Sequence, residues 1–164
     1  MSIPAHRINL VPFFAKLIQE HHGDFETILD VGCGELSSIW RQRWGDKYEG
    51  LDTRDTVNAD YVGDACDLSL FPSNSRDVVC GWSTLEHVTH PYDMLSEMKR
   101  VSKATVIITT DYVERDKNGD PTHLYSWTPK SLRQLITRIH GDCKVYESRN
   151  IMIGVLYNCS SKEI

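Results

Sequence analysis

The C-terminal end of the chain constrains the fold most. CKVYESRN (143–150) and IMIGVLYNC (151–159) are two strand-like runs with only a short polar turn between them. That spacing dictates an antiparallel hairpin, because parallel neighbours need a crossover of a dozen or more residues. Upstream the pattern is different. Apolar strand-like runs alternate with amphipathic segments long enough for helices, which is how a mostly parallel sheet is written. A parallel series closed by an antiparallel hairpin departs from an ordinary dinucleotide-binding fold, which would continue with further strand–helix units.

The alternation can be placed along the chain. Pro12 to His22 reads as a first helix, with Phe13, Phe14, Leu17 and Ile18 on one face and Gly23 as its stop. Thr27 to Val31 is a buried strand, Glu35 to Trp44 a helix ended by Gly45, and Lys47 to Asp52 a second strand. Asp60 to Val62 is a short third strand, and DVVCGW (77–82) a fourth. In the next helix Thr89 or His90 is placed to cap and Pro91 to open, with Met94, Leu95, Met98 and Val101 as its buried stripe. ATVIITT (104–110) is a fifth strand. Thr128 and Pro129 begin a last helix whose apolar face is Leu132, Leu135, Ile136 and Ile139, with Gly141 ending it.

Composition removes several classes of function. The 164 residues suit one domain, 1–164, and no apolar run approaches the roughly 20 residues of a membrane span. The first residues, MSIPAHRINLVPFF, do not read as a signal peptide, so a cytoplasmic setting is expected. A formal net charge of −5 argues against a phosphate-backbone partner, which calls for concentrated Lys and Arg. Cys33, Cys66, Cys80, Cys143 and Cys159 are odd in number and form no C-x-x-C pair. They predict free thiols, with no disulfide framework and no metal site.

The chemistry concentrates at strand ends. LDVGCG (29–34) places Gly32 and Gly34 at the exit of the first strand, where glycines allow a tight turn and close approach of a ligand. Alone, G-x-G also fits a purely structural turn. No third glycine completes the G-x-x-G continuation after Gly34, so the dinucleotide fingerprint fails. Asp52 closes the second strand, where a carboxylate can accept from both ribose hydroxyls. Gly63-Asp64-Ala65 follows the third strand. A carboxylate there can accept from an exocyclic adenine amine and the Ala65 N–H can serve a ring nitrogen, although Gly-Asp is equally good turn chemistry. Gly81 to Val88 leaves the fourth strand toward the same crevice, since ligands of open parallel sheets bind outside the C-terminal strand ends.

Together LDVGCG, Asp52, GDACDL (63–68) and RDVVCGWSTLEHVTHPYDMLSEMKRV (76–101) resemble the class I S-adenosylmethionine-dependent methyltransferases, in their small-molecule, type 11-like branch. The resemblance implies an α/β, Rossmann-like, doubly wound and mostly parallel seven-stranded sheet. Its C-terminal strand is antiparallel and the whole is an α/β/α sandwich. It further implies S-adenosylmethionine as cofactor. Asp30, Gly32, Cys33 and Gly34 would lie at its methionine end, Asp52 and Thr53 at the ribose, Asp64 and Ala65 at the adenine, and Ser83 on the methionyl side.

A methyl on a sulfonium is already activated, so a catalytic base is optional. His87 and His123 are the two candidates. His87 could equally be a wall residue, and the loop 111–127 that holds His123 is either a lid or a solvated connection. Tyr125 and Trp127 could wall a pocket or pack the next helix. The exit of strand four reads GWST rather than the [DN]-P-P-[YFW] of adenine-N6 methyltransferases, and no Pro-Cys pair exists for cytosine-C5 chemistry. A small-molecule acceptor is therefore expected over nucleic acid. The shortness of the chain suggests a shallow acceptor site, or one completed by a second subunit or a macromolecular partner. Two other readings remain open: a cofactor-holding module without catalysis, and, less well supported, a nicotinamide-dependent oxidoreductase.

Overall fold

The computed structural model describes residues 8–111, 120–139, 143–148 and 151–157. Residues 112–119 of the 111–127 loop, the Gly141 helix stop, the hairpin turn at 149–150 and Cys159 lie outside them. One seven-stranded sheet runs β3-β2-β1-β4-β5-β7-β6. Its strands are β1 Ile28–Val31, β2 Tyr48–Asp52, β3 Tyr61–Val62, β4 Arg76–Trp82, β5 Ser102–Asp111, β6 Cys143–Ser148 and β7 Ile151–Tyr157. β1 to β5 pair in parallel. β7 pairs antiparallel to both β5 and β6, as the adjacent runs required.

Among the described residues four α-helices cover the two faces: α1 Val11–His21, α2 Ser37–Trp44, α3 Pro91–Val101 and α4 Pro129–Ile139. α1 and α2 pack Phe14, Leu17, Ile18 and Trp40 against Ile28, Val78, Ile107 and Ile153. α3 and α4 pack Met94, Met98, Leu132 and Ile136 against Leu29, Val79, Val106 and Met152. The central strands are thus apolar on both sides, and β1 is buried at all four positions.

Two local expectations fail. The helix expected from Glu35 begins at Ser37, because Gly34–Leu36 form a tighter 3-10 turn. Gly34 at φ +52° cannot open a regular α-helix. At α3 neither Thr89 nor His90 caps. The Thr89 hydroxyl is hydrogen-bonded to His90 Nδ1 at 2.9 Å, and Pro91, with no N–H of its own, starts the helix. Thr128 does cap α4, its Oγ1 accepting the Ser131 N–H at 3.1 Å.

Candidate active site: a cleft at the C-terminal strand ends

The exits of β1, β2, β3 and β4 enclose a cleft of about 570 Å³. Such a volume suits a cofactor-sized ligand, since small-molecule sites span roughly 300–1,000 Å³. Gly32–Leu36, Leu51–Arg54 and Gly63–Ala65 line it after β1, β2 and β3, and Trp82–Thr84, His87–Thr89 and Thr122 line it at the β4 exit.

The glycine turn is fastened to β2. The N–H groups of Gly32 and Cys33 both donate to the Leu51 carbonyl, at 2.8 and 3.0 Å, and the Gly34 N–H donates to Asp52 Oδ2 at 3.0 Å. Gly32 stands at φ +77°, and a Cβ there would run into the Thr84 side chain. Glycine is therefore demanded by both backbone and space. With its N–H groups held by β2, the turn offers a ligand carbonyl oxygens, which suit an ammonium group. Cys33 borders the cleft but is buried. Its thiol packs against Gly50, and burial pushes its pKa well above the ordinary value, with the charges of Asp30, Asp52 and Asp60 adding to the rise.

Asp30 sits behind the turn. Its carboxyl is fully buried and does not border the cleft, and it accepts from the Tyr48 hydroxyl at 3.0 Å. Burial pushes its pKa up to about 7, against the lowering effect of hydrogen bonds from Tyr48 and Cys80. The glycine turn therefore lies between its carboxyl and the cleft.

Asp52 is at the cleft wall and is only 6% exposed. Its Oδ1 accepts the Arg54 N–H and Nε–H, both at 3.0 Å. Its Oδ2 accepts the Gly34 N–H at 3.0 Å and Arg54 Nη2 at 3.3 Å. Burial alone would raise its pKa, but the Arg54 guanidinium and these N–H donors outweigh burial and hold it below the usual carboxylate value. Arg54 also reaches Glu35 at 3.3 Å. Thr53 is exposed at the same wall. Asp64 is exposed with one oxygen accepting the Cys66 N–H at 2.8 Å, while Ala65 is buried beside it.

Ser83 occupies φ +51°, a conformation L-residues with side chains seldom adopt, and its N–H donates to Thr109. Such strain gathers at ligand clamps. His87 borders the cleft. His123 does not, but the two rings meet edge to face with centroids 4.8 Å apart. Tyr125 stacks on Trp127 and donates its hydroxyl to the Thr89 carbonyl at 3.0 Å, so it ties residues 120–127 to the exit of β4. Arg54, Glu35 and Thr122 were missed by the sequence reading. Only Arg54, a lone cation two residues past Asp52, left any signal there.

A parallel sheet with a closing antiparallel strand, a carboxylate at the β2 exit and a glycine turn at the β1 exit define a Rossmann-like nucleoside-binding fold of the methyltransferase type. Residues 29–109 match the family described as Methyltransferase domain. The chain carries a methyltransferase domain over these residues, and its fold is that of the class I S-adenosylmethionine-dependent methyltransferases. In fold it is similar to an S-adenosylmethionine-dependent methyltransferase of Archaeoglobus fulgidus, at 15% identity and TM-score 0.74, with 92% of this chain and 94% of that one covered. A putative methyltransferase of Methanococcus maripaludis gives 15% identity and TM-score 0.74, with 96% and 89% covered. A Haloferax volcanii structure, the complex between the Trm112 methyltransferase activator and a putative methyltransferase, gives 15% identity, TM-score 0.63 and coverage of 92% and 96%. No curated protein sequence matches. No described helix is long and apolar enough to cross a membrane.

Proposed function

We propose that this chain transfers a methyl group from S-adenosylmethionine to a small-molecule acceptor bound at the β4 exit. The reading is carried by one continuous cleft at the C-terminal strand ends whose lining combines two sets of residues. The Gly32–Gly34 turn, Asp52, Thr53, Asp64 and Ala65 suit the cofactor. Ser83, His87 and Thr122 line the same cleft at the β4 exit.

The cofactor supplies the activated methyl. The chain supplies position: Asp52 accepts from the ribose, Asp64 and the Ala65 N–H read the adenine, and carbonyls of the glycine turn hold the amino group. Buried apolar neighbours such as Leu36 and Leu51 exclude water around them. His87 is the side chain placed to take a proton from an acceptor, with His123 at its back. Acidic overall charge favours a small molecule over nucleic acid.

Calorimetry with S-adenosylhomocysteine, followed by transfer of labelled methyl to a panel of hydroxyl, amine and carbon acceptors, tests this reading. Binding with turnover on at least one acceptor is expected. Tight binding with no turnover on any of them would favour the cofactor-holding module instead. Sedimentation of the same sample tests whether a homodimer completes the acceptor site.

A further inference from the structure

At the β4 exit lies a cluster that the cofactor reading does not use. One ligand-capable atom from each of Glu86, His87 and His123 lies within 4.8 Å of the others. We propose that these three side chains bind a divalent first-row transition-metal ion of the zinc–cobalt class at the acceptor wall of the cleft.

The surrounding hydrogen bonds prepare two of the three ligands, His87 and Glu86. His87 Nδ1 lies 3.2 Å from the Thr122 carbonyl, which can only accept. It is also 3.2 Å from the Thr122 hydroxyl, whose own proton is donated to Asp120 at 2.7 Å. Both neighbours therefore act as acceptors, so Nδ1 carries the proton and Nε2 of the neutral ring keeps its lone pair. A histidine whose far nitrogen donates to a backbone carbonyl is oriented as metal-binding histidines are. Glu86 is 1% exposed. Its oxygens accept from the Thr110 hydroxyl at 2.9 Å and the Asp111 N–H at 3.3 Å, one donor each, which leaves lone pairs on both. Among the described residues no Lys or Arg forms an ion pair with Glu86, and burying a carboxylate without a paired cation is costly. A cation between it and the two imidazoles removes that cost.

Geometry and ligand type narrow the ion. Metal–ligand bonds of about 2.0–2.2 Å bring ligands closer together than this cluster, so it must contract by about 1 Å. Two imidazoles with one carboxylate suit zinc, cobalt or iron rather than magnesium or calcium, which prefer all-oxygen shells. Asp111 lies 3.8 Å from His123 Nε2 and Asp120 lies 4.0 Å from it, adding negative charge around the site. Resting on the methyl-transfer reading, a three-ligand site beside the cleft leaves coordination open to the acceptor, and with His87 Nε2 on the ion it is the metal, in place of His87, that eases loss of the acceptor's proton. The acceptor class is then one that presents a hydroxyl or carboxylate oxygen.

The test is Co²⁺ added to chelator-treated full-length protein, read by its visible d–d absorption and displaced by Zn²⁺. One equivalent is expected to bind, with affinity falling at least tenfold in His87→Ala and in His123→Ala. Glu86→Gln should fall similarly. Because that residue is buried and the variant could fail to fold, the two histidine variants decide the matter. No stoichiometric Co²⁺ binding to the wild type overturns the proposal, as does equal affinity in the double variant His87→Ala/His123→Ala. S-adenosylhomocysteine binding on the same samples separates the two readings. Metal binding without it leaves the metal site standing and sinks the methyl-transfer reading, and the converse sinks only the metal site.

Discussion

Asp52 and Asp77 are bound in nearly the same way at opposite ends of the sheet. Asp52, at the end of β2, accepts the N–H groups of Gly34 and Arg54 together with the Arg54 guanidinium. Asp77, near the start of β4, accepts the N–H groups of Glu26 and Thr27, both at 2.9 Å, together with Lys103 at 2.8 Å. Each is a carboxylate held by two backbone donors and a cation. The difference is which end of the strands they occupy. At the N-terminal end, Asp77 ties the entry of β1 to β4 and β5 and closes a surface. At the C-terminal end, the same set of bonds borders a cleft. Hydrogen-bond chemistry does not mark a site in this fold; position along the parallel strands does.

Replacing Asp52 breaks the comparison most sharply. Asp52→Ala is expected to weaken S-adenosylhomocysteine binding by roughly 1.5–3 kcal/mol, the range for hydrogen bonds to a charged group. Calorimetry checks it, with circular dichroism confirming that the variant is folded. Unchanged affinity in a folded protein would remove Asp52 from the ribose.

Asp77→Ala should do the opposite. It leaves the Glu26 and Thr27 N–H groups without their acceptor, and about 1–2 kcal/mol of stability is expected to go, while cofactor affinity stays within twofold. The effect is pH-dependent. Burial would raise the Asp77 pKa, but Lys103 and the two N–H donors bring it down to about 2, below the ordinary 3.8. A folded-state pKa below the unfolded one gives stability that is present above the unfolded value and lost as pH falls through the folded one. The melting gap between wild type and variant is therefore full at pH 7 and closes between about pH 4 and pH 2. A gap that stayed constant down to pH 2 would show that the charge of Asp77 contributes nothing.

The two aspartates also mark how far the sequence can be read. Asp52 was legible because a strand exit about twenty residues after a glycine turn has a physical meaning in a parallel sheet. The hairpin was legible because 143–148 and 151–157 are too close to be joined any other way. Asp77 attracted no notice, since its partners come from the segment before β1 and from β5, and no local pattern links them. The same holds for Glu86, His87 and His123. His87 and His123 could be listed as candidates one at a time. That their rings meet, with the buried Glu86 beside them, follows from residues 120–127 folding back onto the β4 exit through the Leu124 and Tyr125 N–H bonds to the Glu86 carbonyl. Asp30 shows the converse limit. The family resemblance put it at the methionine end of the cofactor, and strand alternation turns its side chain into the layer beneath the turn, against Tyr48.

The smallest effect tests what separates the two clamps. An ionised carboxylate has about four lone-pair positions. The four donors on Asp52, three of them from Arg54, fill them in this structure. Two ribose hydroxyls can then reach the carboxylate only if the guanidinium releases Nε and Nη2. Lys103 faces no such competition, because Asp77 has no ligand to receive. Half of the Arg54 side chain is exposed, so release costs little desolvation. Arg54→Ala is therefore expected to raise S-adenosylhomocysteine affinity, by up to about tenfold, since one charged hydrogen bond is worth about 1.5 kcal/mol. Lys103→Ala should leave that affinity unchanged. A loss of affinity in Arg54→Ala would show instead that the guanidinium moves with the ligand and holds it, which would make the clamp on Asp52 part of the bound state rather than its competitor.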